Sequence, residues 1–182
     1  NAVFFHAGQI CSAGTRVLVE EPIHNRFVAA LRKRMSAICL GRGTNDATRM
    51  GPLISAEQRE KVDGWVARGV AEGAELVVGG KRPEEKALNK GFFYLPTLLL
   101  GCHAGMAIVQ EEVFGPVITV ERFTSEAEAI KLANDTRYGL SAGFRTTDEA
   151  RIKRVSAALR FGTVWVNSYN VYFPAAPWGG YK

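Results

Sequence analysis

The chain has 182 residues, 47% of them hydrophobic and 23% charged, which suits one globular domain and excludes a disordered or collagen-like chain. No apolar run approaches the roughly 18 residues of a membrane helix, and the stretch from Asn1 lacks the basic start and apolar centre of a signal peptide. The formal charge of +5 is dispersed, its densest group (Arg32, Lys33, Arg34) reads as a solvated helix face, and no nucleic-acid partner is expected.

Short apolar runs alternate with helical stretches, so the expected class is α/β, a mostly parallel sheet flanked by helices. Residues 16–20 read as a strand. Pro22 then opens a helix where proline is favoured, with Ile23, Phe27, Ala30, Leu31 and Met35 on one face. After a loop over 41–51, Ser55 caps a second helix and Gln58 completes a capping box. Val62, Trp65, Val66 and Val70 form its apolar face, and it ends near Gly73. Residues 76–78 are a short strand stopped by Gly79 and Gly80, and 81–91 a charged loop. Residues 93–100 read as a strand in which Pro96 marks an edge or a bend. Strand signals follow at 117–123, 140–145 and a buried 162–167. They alternate with helices at 125–134, capped by Ser125 with Glu128 in the capping-box position, and at 148–159. Without a repeat or a linker, one domain is expected, and both ends read as the cut edges of a longer protein.

Cys11, Cys39 and Cys102 form no CxxC pair, which points to a reducing, cytoplasmic setting rather than a disulfide scaffold. His6, His24 and His103 are equally scattered, and no metal site is expected.

Chemistry concentrates at Phe4-Phe5-His6-Ala7-Gly8-Gln9-Ile10-Cys11-Ser12-Ala13-Gly14-Thr15-Arg16. A nucleophilic thiol needs room for a substrate, and the small residues around Cys11 supply it. Glycines also let the backbone approach a bound carbonyl, where main-chain N–H groups stabilise an oxyanion. The composition of the stretch alone leaves a small buried hydrophobe as the alternative.

Taken whole, the stretch resembles the active-site cysteine motif of the NAD(P)-dependent aldehyde dehydrogenases. Further segments are similar to that family's motifs in the same order: Gly51-Pro52-Leu53-Ile54, Gln110-Glu111-Glu112-Val113-Phe114-Gly115-Pro116-Val117 and Tyr138-Gly139-Leu140-Ser141-Ala142-Gly143. Gly162-Thr163-Val164-Trp165-Val166-Asn167 and Pro177-Trp178-Gly179-Gly180-Tyr181-Lys182 complete the set, and the ending leans toward betaine-aldehyde and aminoaldehyde dehydrogenases.

The resemblance implies that Cys11 adds to an aldehyde carbonyl, that hydride passes to NAD or NADP, and that water then hydrolyses the thioester to an acid. It places Glu112 on the nicotinamide ribose, Phe114 beside the nicotinamide, and Asn170, Tyr172 and Trp178 along the aldehyde tunnel. Asn167 would position the following loop. The family's dinucleotide-binding domain, general-base glutamate and final oligomerisation strand have no counterpart here. Residues 1–182 are therefore expected to be part of a catalytic domain, inactive alone as a dehydrogenase. The full-length parent would be a homodimer or homotetramer acting on a small aldehyde. Two other readings stay open: a non-catalytic module of the same fold, and a thiol esterase or acyltransferase pairing Cys11 with His6.

Overall fold

The computed structural model describes residues 2–182. Four strands, β1 (Arg16–Glu20), β2 (Glu75–Val78), β3 (Thr97–Leu100) and β4 (Val117–Phe123), form one sheet in the order β1-β4-β3-β2. β4 runs parallel to both β1 and β3, and β2 pairs antiparallel at the edge. The two central strands are buried along most of their length because both of their faces are covered. Alternation then sorts their side chains. Leu98, Ile118 and Val120 join Val19 and Met35 in one core, while Leu99 and Val117 join Val62, Val66, Ile108 and Val109 in the other.

Helix α1 (Glu21–Ser36) covers the first core, and α2 (Ala56–Ala71) with the short α3 (Ala107–Gln110) covers the second. The α1 face differs from the expectation. His24, Val28, Leu31 and Met35 turn inward, whereas Ile23 and Phe27 are 41% and 37% exposed. In α2, Val62 and Val66 are buried as expected and Val70 is not.

Ser55 caps α2 by accepting from the Gln58 N–H at 3.1 Å. The reciprocal half of the expected capping box is missing, because the Gln58 side chain is used elsewhere, as described below. The strand expected over 93–100 shrinks to β3. Phe93 and Tyr94 bury their rings ahead of the ladder, and Pro96 precedes an interior strand rather than lying on an edge.

Helix α4 (Glu126–Asn134) is capped by Ser125, and α5 (Glu149–Ala158) by Asp148. Beyond α4, β5 (Ser141–Phe144) and β6 (Thr163–Val166) pair in parallel as a separate two-stranded sheet. β6 is not the buried strand expected, since only Trp165 within it is buried. No helix is long and apolar enough to cross a membrane, and no group of three or more His, Cys, Asp or Glu side chains is placed to hold a metal ion, among the described residues.

Candidate active site

Cys11 lies in a turn just before β1, its side chain exposed. The chain reaches it through a tight 3-10 turn, Phe5–Gly8, in which His6, Ala7 and Gly8 all have positive φ (52°, 54° and 75°). Gly8 has a steric reason to be glycine: a Cβ there would stand 2.1 Å from the Gly115 carbonyl oxygen. The cysteine loop therefore rests backbone to backbone on the segment that ends in Gly115-Pro116.

Two glutamines stitch distant segments to this floor. Gln9 Oε1 accepts from the Ile54 N–H at 3.0 Å, and its Nε2 donates to the His6 carbonyl at 3.1 Å. Gln58 Nε2 donates to the carbonyls of Val113 (3.2 Å) and Phe114 (2.8 Å), which pins Phe114 in its left-handed conformation, φ 55°. At the loop's exit, the Thr119 N–H of β4 donates to the Thr15 carbonyl at 2.9 Å.

The segment 169–178 closes the other side. Ser12 is 1% exposed, and its hydroxyl donates to Asn170 Oδ1 at 3.1 Å. Its oxygen also shares a 2.5 Å hydrogen bond with Tyr172 Oη, which either hydroxyl can donate. The Tyr169 hydroxyl donates to the Ser12 carbonyl at 3.0 Å, and its ring lies between Gly14 and Gly143. A Cβ at Gly143 would fall 2.6 Å from that ring. Burial pushes the Tyr169 phenol up to about 12. The residue next to the thiol is thus gripped through both its hydroxyl and its carbonyl.

Beyond this grip, Trp165, Tyr172 and Trp178 form an aromatic cluster. Tyr172 stands edge-on to both indoles, with centroids 5.6 Å from Trp165 at 87° and 5.0 Å from Trp178 at 73°. Trp165 Nε1–H donates to the Val171 carbonyl at 2.8 Å. Tyr172 and Trp178 are 52% and 44% exposed, so the wall has open ring surface. Asn170 and Tyr172 bond Ser12, the chain neighbour of Cys11, and Trp178 packs against Tyr172.

Glu112 and Phe114 sit on the floor described above, not on the aromatic wall. Glu111 is paired with Arg137, while Glu112 is exposed and has no ion-pair or hydrogen-bond partner among the described residues. Asn167 differs slightly from its expected role. It braces the loop after β5, with Oδ1 accepting from the Thr146 N–H at 3.0 Å and Nδ2 donating to the Thr146 carbonyl at 2.9 Å. The ending packs against the turn before β6, where a Cβ at Gly162 would lie 1.7 Å from the Gly179 carbonyl oxygen.

His6 is exposed, its ring 4.3 Å from Phe5, and shares no hydrogen bond with Cys11 among the described residues. Cys102 is buried, and burial pushes its thiol up to about 11. An open groove of about 600 Å³ lies between α1 and the β2 edge, lined by Arg32, Lys33 and Arg122, and contains none of the motif residues. Sequence reasoning missed Ser12, Tyr169, Gln9 and Gln58. The only local signal for Tyr169 is the pair of glycines that make room for its ring.

The model of the "Aldehyde dehydrogenase family" matches residues 1–182. The chain is 58% identical over its whole length to a betaine aldehyde dehydrogenase of Bacillus subtilis (strain 168), of which it covers 37%. It is 46% identical over 179 residues to a betaine aldehyde dehydrogenase of Mesorhizobium japonicum, again covering 37% of that protein. A crystal structure of Staphylococcus aureus betaine aldehyde dehydrogenase in complex with NAD+ superposes with a TM-score of 0.97 at 50% identity, over 98% of this chain and 36% of the other. The chain thus spans little more than a third of the length of these relatives.

Proposed function

The chain belongs to the aldehyde dehydrogenase family, and from that membership we propose that residues 1–182 are part of the catalytic domain of an NAD-dependent enzyme that oxidises betaine aldehyde or a similar cationic aldehyde. The observation that carries the substrate is the grip on Ser12. It ties open phenol and indole rings to the residue that follows an exposed cysteine in the chain. Ring faces attract a quaternary ammonium by their quadrupoles, by about 1–2 kcal/mol per favourable contact.

In this reading the Cys11 thiolate adds to the aldehyde carbon, giving a thiohemiacetal whose oxygen carries the charge. The Cys11 backbone N–H supplies one donor to that oxygen. Asn170, Tyr172 and Trp178 hold the substrate's far end, which fixes the distance between cation and carbonyl. NAD+, when bound, accepts the hydride. Glu112 and Phe114 suit its nicotinamide half. The carboxylate of Glu112 is exposed and uncommitted, so it can accept from two ribose hydroxyls. Phe114 is pinned by Gln58 and presents a fixed apolar surface. The rest of the dinucleotide site is assigned to sequence outside these residues, so the 182 residues alone should produce no NADH. The separated cysteines support a reducing, cytoplasmic setting.

The test is a chimera in which this chain replaces the matching stretch of the Bacillus subtilis relative. Betaine-aldehyde-dependent NADH formation that disappears with Cys11→Ser is expected. A chimera that folds and binds NAD+ but oxidises no cationic aldehyde would overturn the reading.

A further inference from the structure

The turn that follows α4 receives donors from three separate parts of the candidate site. Lys182 Nζ donates to the carbonyls of Asn134 (3.3 Å) and Thr136 (2.6 Å). The carbonyl between them, that of Asp135, accepts from Arg16 Nη1 at 3.1 Å and from Gln110 Nε2 at 3.0 Å. Arg137, next in the chain, is ion-paired with Glu111. Arg16 ends the cysteine stretch, Gln110 and Glu111 precede Glu112, and Lys182 ends the segment that carries Trp178. Three stretches far apart in the chain thus meet on three consecutive carbonyls.

The meeting point has a physical reason. The last carbonyls of a helix lack partners within it and carry the negative end of its dipole, so cationic donors are favoured there. Arg16 and Lys182 supply them, and Lys182 Nζ also lies 5.5 Å from the centroid of the Phe161 ring. Between Trp178 and Lys182, Gly179 and Gly180 lend the chain little stiffness of its own. The place of Trp178 is therefore set by its ring contacts and by what the ending docks on. Two of those holds are main-chain: Gly179 against Gly162, and the Tyr181 N–H donating to the Gly139 carbonyl at 2.9 Å. The third is the Lys182 side chain. We propose that the turn 134–137 is the common anchor of the cysteine stretch, the Glu112 segment and the aromatic wall, and that Lys182 is the positioning residue that seats the wall on it. Gln110 does the same for the Glu112 segment. The inference rests on the cationic-aldehyde reading above and names what keeps the parts of that site in register.

The experiment is steady-state kinetics of the Bacillus subtilis chimera carrying Lys182→Met, Lys182→Arg or Gln110→Leu. Methionine keeps much of the apolar reach of lysine and removes its donors. Lys182→Met is expected to raise KM for betaine aldehyde by about tenfold and to leave KM for NAD+ within about twofold. The rise is limited because the two main-chain holds remain. Lys182→Arg should return KM for the aldehyde to within about threefold of the parent, since a guanidinium can also donate to two carbonyls. Gln110→Leu should do the reverse, raising KM for NAD+ by about fivefold and leaving KM for the aldehyde within about twofold. It tests the same anchor from another side and guards against misfolding of the methionine variant. A purely structural role would lower the folded fraction, which reduces kcat and leaves both KM values where they were. Either Lys182→Met or Gln110→Leu with both KM values unmoved, or with both raised alike, overturns the inference alone. A parent chimera that folds and binds NAD+ but oxidises no cationic aldehyde overturns the reading, and the inference with it.

Discussion

Arg16 and Glu121 form a two-pronged ion pair across β1 and β4, with Nε to Oε1 at 2.6 Å and Nη2 to Oε2 at 3.2 Å. Arg16 pairs with Thr119 in the ladder, so Glu121 is its diagonal neighbour on the same face of the sheet. Glu121 is 3% exposed, and Arg16 is the last residue of the cysteine stretch. The pair therefore anchors the exit of the cysteine loop to the central strand. Arg16→Ala would strand a buried carboxylate and should cost about 3–5 kcal/mol, read as a lower urea midpoint. A loss below about 1 kcal/mol would mean that water reaches Glu121 and that the pair contributes little.

Gly8→Ala should be far worse than Gly43→Ala. At Gly8 the positive φ and the 2.1 Å approach to the Gly115 carbonyl both oppose a Cβ, whereas nothing lies within 4 Å of one at Gly43. The expected loss at position 8 exceeds about 2 kcal/mol, against less than about 0.5 kcal/mol at position 43. Thermal melts of the two variants decide the matter. Equal midpoints would show that the cysteine loop does not depend on resting on Gly115.

Gln58→Leu should loosen the Glu112–Phe114 segment while leaving Cys11 labelling by iodoacetamide unchanged. Two carbonyls lose their donor, and the left-handed Phe114 loses its tether. Amide exchange at residues 113–115 should speed up by about tenfold, the equivalent of one hydrogen bond near 1.4 kcal/mol. Unchanged exchange there would argue that the backbone of the segment holds itself.

Alkaline pH should destabilise the fold in two stages. The folded state keeps the Cys102 proton up to about 11, while the unfolded thiol releases it near 9. Between those values the unfolded state binds fewer protons, so stability is fully present below pH 9 and is lost as pH rises toward 11. Tyr169, raised from 10 to about 12, extends the decline above pH 10. Cys102→Ala should remove the earlier stage and leave the later one, as measured by chemical denaturation from pH 8 to 12. An unchanged early slope in that variant would assign the loss to other groups.

Local signals made β1, β4 and the capped starts of α2, α4 and α5 legible in the sequence, because a cap or an apolar alternation is written within a few residues. The inward face of α1 was not legible. Two apolar stripes lie about one residue apart, and the sheet beneath selects the one containing His24, which no hydrophobic pattern would choose. Phe93 and Tyr94 misled for a related reason, since an apolar run reads alike whether it pairs in a ladder or only buries its rings. Family resemblance placed Cys11, Asn170, Tyr172 and Trp178 together, but it was silent on what binds them. The grip of Tyr169 and Tyr172 on Ser12 spans 157 and 160 positions, and no local periodicity encodes a contact of that range.

That same range carries a consequence for how the protein comes into being. A ribosome makes residue 12 long before residue 172, and chains begin to fold in the order they emerge. The Cys11 thiol is therefore released before the tyrosines that immobilise its neighbour. Until then the cysteine loop lacks the grip on Ser12. A nascent chain exposes the Cys11 sulfur before Ser12 is held.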